Sequence, residues 1–183
     1  MIDFTRTKTK QDLWGILALQ KENLVQNISA EEKGSQGFVM VQHSYEDMES
    51  LHSIEPHVIA KDGHLVAAYC LAMTKHSRED IPMLIPMFEQ FEKLDFKGKK
   101  VSEYNYMSVG QVCVGKDYRG HGIFQQLYET YRDTFREQYE FAITEISTQN
   151  HRSLKAHQNL GFEVVKTFKD EFDEWAIVIW DWR

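Results

Sequence analysis

Cysteine and proline are scarce in this chain, and positive charge is in deficit. Two cysteines, Cys70 and Cys113, lie inside apolar stretches and make neither a disulfide framework nor a metal-ligand spacing. They read as buried, reduced thiols in a cytoplasmic protein. Lys and Arg total 21 against 28 Asp and Glu, a net charge of -7. A duplex-binding surface needs a basic face, so nucleic acid is not the expected partner. An acidic chain suits a cationic substrate, and it also simply stays soluble. No apolar run approaches the length of a bilayer span, so no membrane partner is expected. The polar start Met1–Arg6 has no apolar core of a signal peptide. Linkers, repeats and low-complexity segments are also missing, so residues 1–183 are expected to form one domain with a real core.

What is present centres on the stretch from Gly110 to Phe124. It begins as an apolar strand, breaks at Gly115 and restarts at Arg119 as a glycine-flanked helix opening. Phe124, Leu127, Tyr128, Tyr131 and Phe135 then recur at helical steps, with polar residues between them. The first turn of a helix presents backbone N–H groups without internal partners, and its dipole favours negative charge. Gly120 and Gly122 have no Cβ, so an anion can approach those amides. The stretch predicts a phosphate or pyrophosphate cradle.

Around it, Ile2–Thr7 alternates as a strand, and Thr9 caps a helix whose stripe runs from Leu13 to Leu24. Ser29 with Glu32 forms a capping box for a short helix. Phe38–Val41 reads as a strand and Tyr45–Leu51 as a helix stopped before Pro56. Asp62-Gly63 marks a hairpin between His57–Ala60 and Leu65–Met73. Ile81–Leu94 is a proline-opened helix, or a loop and then a helix. Tyr104–Val114, Phe141–Ile146, Phe162–Phe168 and Trp175–Trp182 are strands, and Asn150–Leu160 is a helix closed by Gly161. This order predicts an α/β (α+β) domain: a mixed, mostly antiparallel twisted sheet with helices on both faces.

Two blocks carry a family resemblance. Val112-Cys113-Val114 followed by Tyr118-Arg119-Gly120-His121-Gly122-Ile123 resembles motif A of the GNAT (Gcn5-related) N-acetyltransferase superfamily, with Phe124 in the pattern's last small position. Thr144-Glu145-Ile146, Asn150 and Leu160-Gly161-Phe162 resemble its motif B, in the right order and separation. The resemblance implies a GNAT fold and an acetyl-CoA site. The backbone of Val112 and Val114 would hold the pantetheine and the thioester carbonyl. The amides of Arg119, Gly120, His121, Gly122, Ile123 and Phe124 would hold the pyrophosphate, and Asn150 would touch the pantetheine arm. It implies no metal. The implied reaction is direct acetyl transfer to an amine of a small molecule or peptide. A CoA-binding module without turnover is the alternative, and a nucleotide-phosphate site is disfavoured because no Gly-Lys-Ser/Thr follows the loop.

Amine acetylation needs a base, an oxyanion donor and a route for the leaving thiolate. The N–H of Val114 is the expected oxyanion donor. Glu145, in a strand of apolar and small residues, is the base candidate, its competing reading being a strand-end salt bridge or cap. His157 stands where the resemblance places a Tyr general acid. It is the acid, or it positions the sulfur, or the acid is Tyr104, Tyr106 or Tyr118; a helix-surface His without a role is the bland reading. The side chain of His121 is expected to face solvent, that of Arg119 to supply phosphate charge, and Cys113 to pack on the face opposite Val112 and Val114. Gln20 and Asn23 are candidate substrate contacts, Gln111 could face the cleft, and the strand Trp175–Trp182 is a candidate homodimer surface by analogy with the fold.

Overall fold

The computed structural model describes residues 1–183. Strand β1 (Ile2–Arg6) leads to α1 (Lys10–Asn23), α2 (Ala30–Ser35) and α3 (Tyr45–Ile54). The hairpin β2 (Val58–Asp62) and β3 (Leu65–Met73) turns at Gly63, whose φ is 58°. The short α4 (Ser77–Asp80) precedes a 3-10 turn at Pro82–Leu84, α5 (Ile85–Glu92) and the small hairpin β4 (Asp95–Phe96) and β5 (Lys99–Lys100). Then come β6 (Tyr106–Val114), α6 (Ile123–Phe135), β7 (Phe141–Ser147), α7 (His151–Leu160), β8 (Glu163–Lys169) and β9 (Glu174–Asp181). Capping residues fix the early helices. Thr9 with Asp12, Ser29 with Glu32 and Ser44 with Asp47 each satisfy two orphan N–H groups.

Seven strands form one sheet in the order β1-β2-β3-β6-β7-β9-β8. Every neighbouring pair is antiparallel except β6 and β7. These two pair only from Tyr106 opposite Phe141 to Ser108 opposite Ile143. Beyond that β6 continues to Val114 and β7 to Ser147 without a shared ladder. The gap holds the site.

Period-two alternation assigns the two faces. Ala68, Cys70 and Ala72 pack with Leu127, Tyr128 and Tyr131 of α6. Tyr69 and Leu71 pack with Ile16 and Leu19 of α1, and Phe141 and Ile143 with Phe88 and Phe91 of α5. One face of the sheet therefore carries α6 and α7 and the other carries α1, α3 and α5. No helix is long and apolar enough to cross a membrane.

Two expectations need correction. Phe38–Val41 is not a strand: its only bridge is Val39 beside Leu24. Its backbone is used by other groups: the N–H of Val39 donates to Asn23 O, and the carbonyls of Phe38 and Val41 accept from the amides of Asn150 and Gln111. Strand β9 lies between β7 and β8 with Ala176–Trp180 buried, so the middle of the strand expected to face a second copy is interior, and only its ends, at Trp175 and Trp182, are half-buried.

Candidate active site

The site is built where β6 leaves β7. The register of β3 and β6 jumps between Cys70 opposite Val112 and Ala72 opposite Val109, so Gly110 and Gln111 together face Leu71. This bulge exchanges the faces of the strand beyond it. Met107 and Val109 face α6, and past the bulge so do Val112 and Val114, while Cys113 packs beside α1. A Cβ at Gly110 would come within 2.1 Å of the Met73 methyl, so any side chain there would force Met73 to move.

Hydrogen-bond alternation settles where the β6 amides point. The N–H of Gly115 donates to Ala67 O at 2.8 Å, so residues 113 and 115 turn their backbone groups to β3. Val112 and Val114 turn theirs to the gap. Glycine is needed just past the strand as well: Gly120 and Gly122 have φ of 79° and 75°, and open space lies where each Cβ would be. Gly122 is the N-cap of α6, with no side chain capping it, so the first-turn amides are left to an outside acceptor.

A cleft of about 380 Å³ follows this edge. It is lined by Val112, Val114, Arg119, Gly120, Gly122, Ile123 and Phe124 among the residues expected from sequence. His121 is exposed and outside the lining. Part of the Arg119 guanidinium is spent on the fold, although the residue lines the cleft. Its Nε donates to Val114 O at 3.1 Å and its Nη2 to Asn23 Oδ1 at 2.5 Å, which clamps the loop to α1. A second cation lining the cleft is Arg152, exposed in the first turn of α7. Sequence reasoning missed it, although Arg152, Ser153, Ala156 and Asn159 recur at helical steps on one face.

A second chamber of about 190 Å³ adjoins the first, sharing Phe38, Val39, Val112 and Ser153 with it. Glu145 and His157 both line it, so two distant motif residues meet. Burial, with the Asp170 charge adding to it, pushes the Glu145 carboxyl up from 4.5 to about 7. His157 is buried, and burial pushes its imidazole down to about 4. Its Nδ1–H donates to Ser153 O at 2.8 Å, which leaves Nε2 to accept the Tyr128 hydroxyl at 2.6 Å. Both nitrogens are thus committed away from the chamber, and His157 is no surface histidine. Asn150 lines the chamber, but its amide donates to Phe38 O and its Oδ1 accepts from Ser153 N. Tyr104 and Tyr118 bond elsewhere, to Phe96 O and Asp62, and Tyr106 lies in the α5 core.

Gln20 and Asn23 are buried braces rather than substrate contacts. The Gln20 amide nitrogen donates to Gln111 Oε1 at 2.7 Å and to His43 Nδ1 at 2.9 Å. The Gln20 carbonyl takes the His43 backbone N–H, and Gln111 Oε1 also accepts the Tyr69 hydroxyl. These bonds fix both glutamine orientations and leave His43 neutral with its proton on Nε2 at the chamber wall. Burial lowers the His43 pKa. No local pattern reveals this network, because its members lie far apart in the chain.

A strand edge with free amides, running into an uncapped helix start, has the shape and polarity to take an extended ligand with an anionic end. The family model for the acetyltransferase (GNAT) family matches residues 23–162, and the chain belongs to that family. No curated protein matches it by sequence. Solved structures share the fold. The NatC complex bound to Gag peptide and CoA superposes with a TM-score of 0.68 at 14% identity, covering 100% of this chain and 99% of that one. NAA60 of Arabidopsis thaliana in complex with acetyl-CoA gives 0.67 at 10% identity, with 99% of each chain covered. The ribosomal-protein-S18-alanine N-acetyltransferase of Escherichia coli gives 0.66 at 12% identity, covering 99% and 94%.

Proposed function

We propose that this protein is an N-acetyltransferase that moves the acetyl group of acetyl-CoA directly to an amine within a ternary complex. The observation that carries the reading is one continuous edge: the Val112 and Val114 amides turned into the gap, then the Gly120–Gly122 turn and the open start of α6. An extended arm with a thioester at one end and a pyrophosphate at the other fits that edge. Bound there, acetyl-CoA supplies an acyl group activated by its thiol leaving group.

The protein's own groups divide the work. The amides from Gly120 to Phe124 and the guanidinium of Arg152 hold the phosphates, the Arg119 N–H being spent on Lys116 O. The N–H of Val114 donates to the carbonyl oxygen as charge develops on it. Glu145, ionised near neutral pH, takes a proton from the acceptor ammonium directly or through water. His157 is assigned a positioning role, because neither ring nitrogen is available to donate into the chamber. It fixes α7 against Tyr128 of α6 and so sets the width of the cleft.

Thermal stabilisation by acetyl-CoA but not by ATP, with amine-dependent thiol release, is the expected outcome. Glu145→Gln should lower kcat by about 100-fold or more while acetyl-CoA still binds. Stabilisation without thiol release for any amine would leave a CoA-binding module and contradict the proposal.

A further inference from the structure

The second chamber differs from the rest of this acidic surface in its charge and its lining. Glu145 is the one carboxylate among its lining residues, and no Lys or Arg joins it. Its two histidines, His43 and His157, are both held toward the neutral form by burial. The lining also carries Met40, Met73, Met83 and Met87, thioethers that adapt to irregular apolar shapes, with Met40 and Met83 exposed. Leu84 and Trp175 join them.

The polar lining is largely spoken for. Thr144 Oγ1 donates to Val109 O, Ser147 Oγ to Asp173, and Gln111 spends its amide on Gln20, Tyr69 and Val41. Asn150 and His157 are committed as described above. Among the side chains this leaves one carboxylate, at Glu145, and two donors, His43 Nε2–H and the Ser153 hydroxyl, with the Val112 backbone at the edge shared with the first cleft.

Resting on the acetyltransferase reading, we propose that the acceptor is a primary monoamine carried on a compact apolar body, its nitrogen at Glu145 and its body among the methionines. A carboxylate or phosphate beside the amine would meet Glu145 with no Lys or Arg in the lining, and a second ammonium among the methionines would lose water with no carboxylate beside it, since Asp170, whose charge reaches Glu145, lies outside the lining; both are unfavourable. A peptide N-terminus would bring more backbone N–H and C=O groups into the methionine-lined part than its few uncommitted polar groups can pair. Size agrees: an apolar cavity of about 150 Å³ holds benzene, and this chamber is about 190 Å³, room for a ring and a short aminoalkyl arm. In the reaction the amine nitrogen bonds to the thioester carbonyl carbon and the C–S bond breaks. Monoammonium and acetyl-CoA give the N-acetyl amide, CoA thiol and one released proton.

The test is thiol release by the full chain with acetyl-CoA and four acceptors: phenethylamine, phenylalanine, spermidine and a short peptide with a free N-terminal phenylalanine. The expected result is a kcat/KM for phenethylamine at least about tenfold above each of the others. Met87→Lys adds a cation to the wall and should shift the ratio toward phenylalanine. Spermidine, phenylalanine or the peptide turned over as well as phenethylamine would overturn the acceptor assignment and leave the acetyltransferase reading standing. Acetyl-CoA stabilisation with no turnover of phenethylamine would overturn it too. Neither stabilisation nor thiol release with any amine would instead remove the acetyltransferase reading itself.

Discussion

At the residue scale the proposed chemistry rests on Glu145, and its burial has a consequence for stability. The folded chain holds the Glu145 proton more tightly than the unfolded chain between pH 4.5 and about 7. Ionising it in place therefore opposes folding as pH rises through that window. Glu145→Gln is predicted to be more stable than the parent above about pH 7, by up to roughly 3 kcal/mol, and to converge with it at acid pH; melting temperatures across pH check this. Activity should run the other way, rising through about pH 7 as the carboxylate forms, with that limb missing in the variant. The His157–Tyr128 pair makes a second prediction. Tyr128→Phe leaves Nε2 buried without a donor and should cost about 1–3 kcal/mol, whereas Tyr128→Phe with His157→Phe should recover much of that. His157→Phe should keep the pH limb assigned to Glu145. Glu145 and His157 were legible as candidates because short motifs flag them. The committed nitrogens of His157 were not legible, since Tyr128 is 29 residues away.

Among elements, β6 does the most. Its bulge re-aims Val112 and Val114, and Met73 occupies the space that a side chain at Gly110 would need. Gly110→Ala should push Met73 toward the chamber, cost about 1–3 kcal/mol and impair acceptor turnover more than acetyl-CoA binding; KM values for the two substrates separate these effects. The Arg119 clamp joins this strand end, its loop and α1. Arg119→Lys cannot reproduce a forked guanidinium, so it should weaken acetyl-CoA binding without touching the Glu145 limb. Periodicity and caps were enough to read α1, α6, α7 and the β2–β3 hairpin from the chain. The Phe38–Val41 segment was misread as a strand because its β-branched, apolar composition reports burial, not pairing. Its actual partners are side chains of α7 and β6 and the end of α1, which no local window contains.

For the whole molecule, the sheet order and the sole parallel pairing put the gap at the centre of the sheet, with the charged loop at one end and the apolar chamber at the other. The mixed sheet and its two helical layers were readable from element order, whereas strand order and the interior place of β9 depended on long-range pairing. A ligand held along this gap bridges both halves of the sheet and should stabilise the fold as a unit. At about 100 times its Kd, acetyl-CoA should add about 2.7 kcal/mol, a rise of roughly 5–10 °C in Tm, with ATP giving no comparable shift. The most direct measurement is an amide-resolved titration of the protein with acetyl-CoA by ¹H–¹⁵N NMR. The largest shifts should fall on Val112, Val114, Gly120 and Gly122; saturable binding whose shifts spare these amides, or no binding at all, would contradict the assignment of this gap as the acetyl-CoA site.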